Sequence, residues 1–308
     1  MGDGSNTQAV VLFPGALGDL LLAMPAIQSL RHRHAGGRLT LAVSRALRPL
    51  AAALRAADTI TNLDDAEAVG LFSGDRVPRW LGERPRLYAW LGSRDPALRA
   101  RLRALASAAE FHAVVRTDGP EHASVAYAEQ VGVAYCPLRW TIPAAEPRVT
   151  TLLATLPRPI LAIHLGAGSP AKRWTVDGFH ELARRWEAGG GGVCEIVGPA
   201  DGDIVPVDRA SRVVDWPLVD VMALLAGVDC YVGNDSGITH LAAAAGARGV
   251  ALFGPTSARR WAPLDSGIVG LTGGLRDDAA QAVEALAPAR VWEALDRHDC
   301  LDKLQSRA

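Results

Sequence analysis

The chain has 308 residues, 49% of them hydrophobic and 21% charged, with a formal net charge of −1. That length exceeds one ordinary core and suits two domains, and the balance is that of a globular chain rather than a disordered one. So small a net charge excludes a molecule whose whole surface is built to bind nucleic acid or another polyanion. Charge is nevertheless uneven: residues 1–150 hold 17 Arg against 14 Asp and Glu, and the rest holds 15 basic against 19 acidic residues.

Residues 1–8 are polar and lack the apolar core of a secretory signal. "AVVLF" (9–13) reads as a strand buried on both faces of a parallel sheet. "GDLLLAMPAIQSLRHRH" follows with apolar residues at helical spacing, and Pro25 predicts a kink or a restart there. "RLTLAVS" (38–44) is the next strand, which makes a β-loop-α-β unit, and "FHAVVRTDG" (111–119) reads as a later strand of the same sheet. Four prolines between 142 and 159, with a short helix at 149–156, mark a linker.

The α/β pattern then starts again. Strands are expected at 159–168, 192–198, 229–235 and 249–256, and helices at 176–190, 218–228 and from Gly237 onward. The last segment, from Pro288, is an amphipathic helix with a polar tail. The reading gives two domains, 1–148 and 149–308, with ligands expected at the carboxyl ends of the strands. Four cysteines, 136, 194, 230 and 300, form no CxxC and suit free thiols in a reducing compartment. No uncharged apolar stretch reaches the ~18 residues that span a bilayer. The chain is therefore expected to be cytoplasmic, at most a peripheral visitor to the inner face of a membrane.

Three loops carry chemistry. In "GNDSGITHLAAAAGARGVALFGPT" (233–256), a strand ends at Asn234-Asp235 and a helix begins near Ser236-Gly237. Unpaired amides and the helix dipole favour an anion there, above all a phosphate. Asp235 or Ser236 alone would do no more than cap the helix. A cap does not account for His240 in the first turn beside the Gly-Pro-Thr loop at 254–256. In "HLGAGSPAKRW" (164–174), Gly166 and Gly168 follow a strand, with Ser169 and Lys172 beyond, a set that suits a pyrophosphate. In "FPGALGDLLLAMP" (13–25), Asp19 is either a helix-start carboxylate favoured by the dipole or a general base.

Asp201-Gly202-Asp203 resembles a metal-binding DxD, but a solvated turn is the more frequent origin of such a triplet, with a ribose contact second. The histidines show no metal-ligand spacing, so no metal site is expected. Residues 76–103 hold eight arginines against Glu83 and Asp95, interleaved with Trp80, Tyr88 and Trp90. That stretch reads either as a solvated face or as a platform for an anionic acceptor, with Arg84, Arg86 and Arg94 as its contacts.

Together, "GALGDLLLAMPAI", "HLGAGSPAKRW" and "NDSGITHLAAAAGARGVALFGPT" resemble the three ordered motifs of the bacterial heptosyltransferases, glycosyltransferase family 9. The resemblance implies a GT-B fold, two Rossmann-like α/β domains facing across a cleft, with the final helix crossing back to the first domain. It implies a metal-independent, inverting transfer of a heptose from ADP-heptose, a co-substrate rather than a cofactor, to an anionic glycolipid such as the lipopolysaccharide core. Asp19 matches the proposed base and Lys172 the phosphate-binding lysine. Gly168 and Ser169 fall in the donor loop, Ser236, Gly237 and Ile238 match the phosphate cradle, and Asp235 and His240 match residues near the donor sugar. Two rivals stand beside this reading: a GT-B transferase with another nucleotide-sugar or a protein or small-molecule acceptor, and a non-catalytic nucleotide-sugar binder.

Overall fold

The structure is a computed structural model that describes residues 8–116, 119–202, 204–273, 283–298, 300, 301 and 304. The chain divides into two compact units, residues 1–141 and 142–308. The division falls at the start of the proline-bearing stretch, a few residues ahead of the 148/149 boundary read from the sequence.

The first unit runs β1 (Ala9–Leu12), α1 (Leu17–Arg33), β2 (Leu39–Val43), α2 (Arg48–Ala53), β3 (Thr59–Asn62), α3 (Ala66–Ser73), β4 (Arg86–Ala89), α4 (Pro96–Leu105), β5 (Ala108–Phe111) and α5 (Ala123–Gln130). Its sheet is parallel, in the order β3-β2-β1-β4-β5. Every residue of β1 and β2 is buried, as a strand covered on both faces requires. Helix α1 passes through Pro25 without a break. A proline removes one backbone bond, and burial of Leu20 through Ile27 outweighs that loss.

The strand expected at 111–119 is a correction. β5 ends at Phe111, where that expectation began. Beyond it the Val115 amide donates to the Tyr127 hydroxyl at 3.2 Å, and the Ala113 carbonyl accepts from Gln130 Nε2 at 3.0 Å. These side chains of α5 take backbone groups that a strand would give to a neighbour, so the segment leaves the sheet.

The second unit runs α6 (Pro147–Thr155), β6 (Ile160–His164), α7 (Val176–Ala188), β7 (Gly192–Val197), β8 (Ser211–Val214), α8 (Leu218–Gly227), β9 (Cys230–Asn234), α9 (Gly237–Ala244), β10 (Gly249–Phe253), α10 (Ala258–Trp261), β11 (Ile268–Thr272) and α11 (Pro288–Arg297). Its parallel sheet has the order β11-β10-β9-β6-β7-β8. One core joins Leu161 and Ile163 of β6, Val232 of β9 and Leu252 of β10 to Phe179, Leu182 and Trp186 of α7.

The final described helix packs within the second unit. Val291, Ala294 and Leu295 of α11 are buried in that same core, against α7 and β10. An amphipathic helix has one apolar face, and α11 spends it on the second unit's sheet, to which the helix belongs. Among the described residues no helix is long and apolar enough to cross a membrane, and the four cysteines are free thiols.

Candidate active site

In the second unit, β6 and β9 are parallel neighbours with His164 opposite Gly233, and β10 lies on the other side of β9. Their carboxyl ends therefore deliver three loops to one edge of the sheet. Asn234, with no exposed surface, ties two of them together. Its Oδ1 accepts from the Trp174 amide at 2.9 Å, and its Nδ2 donates to the Leu165 carbonyl at 2.8 Å. Thr239 Oγ1 donates to the Asn234 carbonyl at 2.5 Å, which anchors the first turn of α9 to the end of β9.

Asp235 comes next and is buried. Its Oδ2 accepts from Lys172 Nζ at 2.7 Å and from Thr256 Oγ1 at 2.6 Å. One carboxylate oxygen thus collects a lysine from the β6 loop and a threonine from the β10 loop. Lys172 keeps 29% of its side chain exposed, so its ammonium is held in place yet still reachable. Ser236 caps α9, its Oγ accepting from the Thr239 amide at 3.4 Å. By helix geometry the Gly237 and Ile238 amides, in that first turn, have no intrahelical acceptor. His240 is buried one turn on.

Gly168 and Ser169 lie in the β6 loop. A Cβ added at Gly168 would meet nothing within 4 Å, so this stretch of backbone is open to a ligand. Gly166 differs: a Cβ there would sit 2.1 Å from Asp201 Oδ1. Asp201 is buried, not the solvated turn residue expected, and accepts from the Gly198 amide at 2.8 Å. Close beneath the loop, burial pushes the pKa of His164 down, so the ring is neutral and its Nδ1 donates to the Ile196 carbonyl at 3.0 Å. Asp203 lies outside the described residues. Among those described, no group of three His, Cys, Asp or Glu could hold a metal ion.

Removing the Asn234 amide would leave the Trp174 amide and the Leu165 carbonyl buried without a partner. Each such orphan costs about 1–3 kcal/mol. Asn234→Ala should therefore lose roughly 2–4 kcal/mol of stability in urea unfolding. A loss below about half a kcal/mol, the usual range for a surface change, would show that the clamp is dispensable.

In the first unit, Asp19 sits in the first turn of α1, directly after β1, and is half-buried. Its Oδ2 accepts from the Ala16 amide at 3.2 Å, and its Oδ1 accepts from the Tyr127 hydroxyl at 3.4 Å. Tyr127 is wholly buried, and burial first, then the Asp19 charge, pushes its pKa far up. It stays a protonated donor that holds the carboxylate from below. A Cβ at Gly15 would lie 2.5 Å from the Phe13 ring and 2.7 Å from Asp19 Cβ, so the glycine lets the chain turn tightly over the carboxylate. Phe13, Trp90 and Tyr127 pack ring against ring beneath, with centroids 5.6–6.3 Å apart.

The arginines expected to contact an acceptor are split between the two ends of the first sheet. Arg86 opens β4 opposite Ala9, the first residue of β1, whereas Asp19 follows the last. Arg84 precedes it, in a turn with φ 44°. Both lie at the amino end of the sheet, and Arg94, which follows β4, lies at the carboxyl end. Four residues of strand, roughly 13 Å, separate them. Arg86 is also engaged, donating to Glu110 at 2.9 Å and to the Tyr88 hydroxyl at 3.0 Å. Tyr88 and Trp90 are core residues, and Arg101 donates to the last carbonyls of α3, Leu71 and Phe72. Within the stretch Arg86 links β4 to β5, while Arg84 and Arg94 are exposed at opposite ends of the sheet.

Sequence reasoning passed over Tyr127 and Thr256 as site residues. Thr256 ends the Gly-Pro-Thr loop, which was visible. Tyr127 sits in the unremarkable helix "ASVAYAEQ", with no local signal of its partner 108 residues away.

Two parallel α/β sheets, with a held lysine and a helix start at the carboxyl edge of the second, make that edge suited to an anionic, phosphate-bearing ligand. The model of glycosyltransferase family 9 (heptosyltransferase) matches residues 70–284, and the chain belongs to that family. Asp19 lies ahead of the matched span. The fold is similar to a family 9 glycosyltransferase from Veillonella parvula, with TM-score 0.78, 18% identity and 97% and 98% of the two chains covered. It is also similar to E. coli ADP-heptose lps heptosyltransferase II, with TM-score 0.74, 19% identity and coverage of 98% and 100%. E. coli heptosyltransferase WaaC with ADP matches at TM-score 0.67 and 14% identity over 95% and 100%. No curated protein matches the sequence.

Proposed function

We propose that this protein transfers a heptose from ADP-heptose to an anionic glycolipid of the lipopolysaccharide-core type, without a metal ion and with inversion at the anomeric carbon. The observation that carries the reading is Lys172 held on buried Asp235 beside the capped start of α9. Solved structures of similar fold include one with ADP and one with ADP-2-deoxy-2-fluoro heptose, which supports an ADP-sugar donor.

In this mechanism the bond from the anomeric carbon to the diphosphate oxygen breaks as the acceptor oxygen bonds to that carbon. Asp19 takes the acceptor's proton. Lys172, with the Gly237 and Ile238 amides, neutralises the departing ADP, which is the place a divalent cation would otherwise fill. Gly168 and Ser169 line the open backbone on which the phosphates rest, and His240 borders the sugar end. The protein acts in the cytoplasm, touching the membrane only peripherally.

The test is turnover of ADP-heptose on lipid A-core fragments, with and without EDTA. Release of ADP coupled to a heptosylated product, unchanged by EDTA, is the expected result. Loss of turnover in EDTA, restored by Mg²⁺ or Mn²⁺, would overturn metal independence. Transfer only from a different nucleotide-sugar would overturn the choice of donor.

A further inference from the structure

A cavity of about 610 Å³ opens in the first unit where α1, α2 and the edge strand β3 meet. Its charged lining is Arg31, Arg45, Arg48, Arg55 and Asp58, with Ile60 and small apolar residues forming the rest of the wall. Four arginines thus line it beside one aspartate, in a chain whose total charge is −1.

That carboxylate is already committed. Asp58 Oδ1 accepts from Arg31 at 2.9 Å, and its Oδ2 accepts from the Leu39 amide at 2.9 Å. These contacts hold the Asp58 carboxyl below its ordinary pKa, the amide contributing most, so it is ionised and satisfied. Arg31 also donates to the Arg55 carbonyl at 2.9 Å, which fixes the turn that carries Arg55. Asp64, two residues after β3, accepts from the Arg45 backbone amide at 2.9 Å. The guanidinium groups of Arg45, Arg48 and Arg55 make no hydrogen bond or ion pair among the described residues.

Arg55 adds a further sign. Its φ is 51°, a left-handed conformation that glycine adopts freely and arginine does not. The chain keeps a bulky cation where the backbone favours a glycine. Unpaired like charges gathered on one wall repel one another and lower stability unless an anion joins them. Guanidinium forks suit phosphate oxygens in particular.

From this geometry we propose that the pocket between α1, α2 and β3 is a binding site for a compact phosphate polyanion, held by Arg45, Arg48 and Arg55, with Arg31 as its floor. It goes beyond the transfer reaction. Asp19 opens α1 and Arg31 lies twelve residues on, in its last turn, roughly 18 Å along the helix at 1.5 Å per residue. The phosphates are those of a lipid headgroup or of a soluble metabolite, and the experiment separates the two.

Inorganic pyrophosphate is titrated into the full-length protein labelled with ¹⁵N-arginine, and the Nε–Hε resonances are followed. These are assigned by single Arg→Lys changes, so the site reports separately from the donor site. Saturable shifts of Arg45, Arg48 and Arg55 are expected, with a Kd below about 1 mM. The double change Arg48→Ser, Arg55→Gly should raise that Kd about ten-fold or more. Glycine suits the positive φ at residue 55, so the fold should persist, as thermal unfolding would show. In a second arm, flotation is measured with vesicles of phosphatidylcholine containing about 30% phosphatidylglycerol. Flotation of the wild type that the double change abolishes assigns the pocket to lipid headgroups. Pyrophosphate shifts without flotation assign it to a soluble phosphate. Absence of arginine shifts up to about 10 mM pyrophosphate, with flotation either absent or unaltered by the double change, overturns the proposal whatever the fate of the transferase reading.

Discussion

Asp19→Ala should lower kcat by about 10²–10⁴, the range that a positioned general base contributes, while the affinity for ADP changes by no more than a few-fold. The carboxylate stands in the first unit, in the first turn of α1, and accepts from the Ala16 amide and the Tyr127 hydroxyl. Both donors stabilise the ionised form, which is the form a base needs. The Ala16 contact also gives Asp19 a purely structural role at the start of α1. Stability must therefore be measured alongside rate, since a lost helix-start interaction costs about 0.5–2 kcal/mol. Asp19→Asn keeps the size and one acceptor while removing the basicity. A base predicts that Asn is as inactive as Ala; a helix-start role predicts that Asn recovers most of the activity. Near wild-type turnover in either variant would remove Asp19 from the chemistry.

Lys172→Ala should cost about 10²–10³ in kcat, the usual effect of deleting one group that stabilises charge developing in the transition state. Lys172 lies at 2.7 Å from Asp235, and the same carboxylate oxygen accepts from Thr256. Removing the lysine leaves a buried carboxylate with the threonine hydroxyl on that oxygen, so part of any effect is structural. The double variant Lys172→Ala, Asp235→Asn separates the two. If the lysine acts only as a counter-ion to Asp235, neutralising the aspartate restores turnover. If it stabilises the departing diphosphate, the double variant stays as slow as the single one. Full recovery in the double variant would reduce Lys172 to a positioning residue. The ADP affinity of the single variant should fall as well, because the product carries the same diphosphate.

The loops of the candidate site in the second unit were legible because their chemistry is local. Glycines at 166 and 168 follow an apolar run, Ser236 precedes an alanine-rich helix, and Lys172 lies eight residues beyond its strand. Strand ends, glycine turns and helix starts occupy consecutive residues, and parallel strand order carries them to one edge. The sequence did not show that Asn234 and Asp235 would draw those loops together, since their partners lie 60 to 69 residues away.

The arginine-rich stretch is the reverse case. Charge density over 76–103 reads the same whether each arginine faces solvent, a ligand or a buried carboxylate. β4 was hidden because it is only four residues long and opens with Arg86 in an arginine-rich stretch, yet it is an inner strand beside β1. Its pairing with Glu110 across the sheet uses a charge that composition alone left available. The end of β5 was misplaced for a related reason: Tyr127 and Gln130, on a later helix, satisfy the backbone of 113–115.

By itself the sequence determined the α/β alternation, the two-unit organisation and the three loops to which donor and base chemistry is assigned by proposal. These follow from the periodicity of burial and from backbone needs of neighbouring residues. Only the tertiary structure decided which charges are free. It placed Arg84 and Arg86 at the amino end of the sheet, away from Arg94. It buried Asp201 beneath the Gly166 turn, gave α11 to the second unit, and gathered Arg31, Arg45, Arg48 and Arg55 around one cavity. A charge's role depends on its partner and its exposure, and both are set by contacts between residues far apart in the chain.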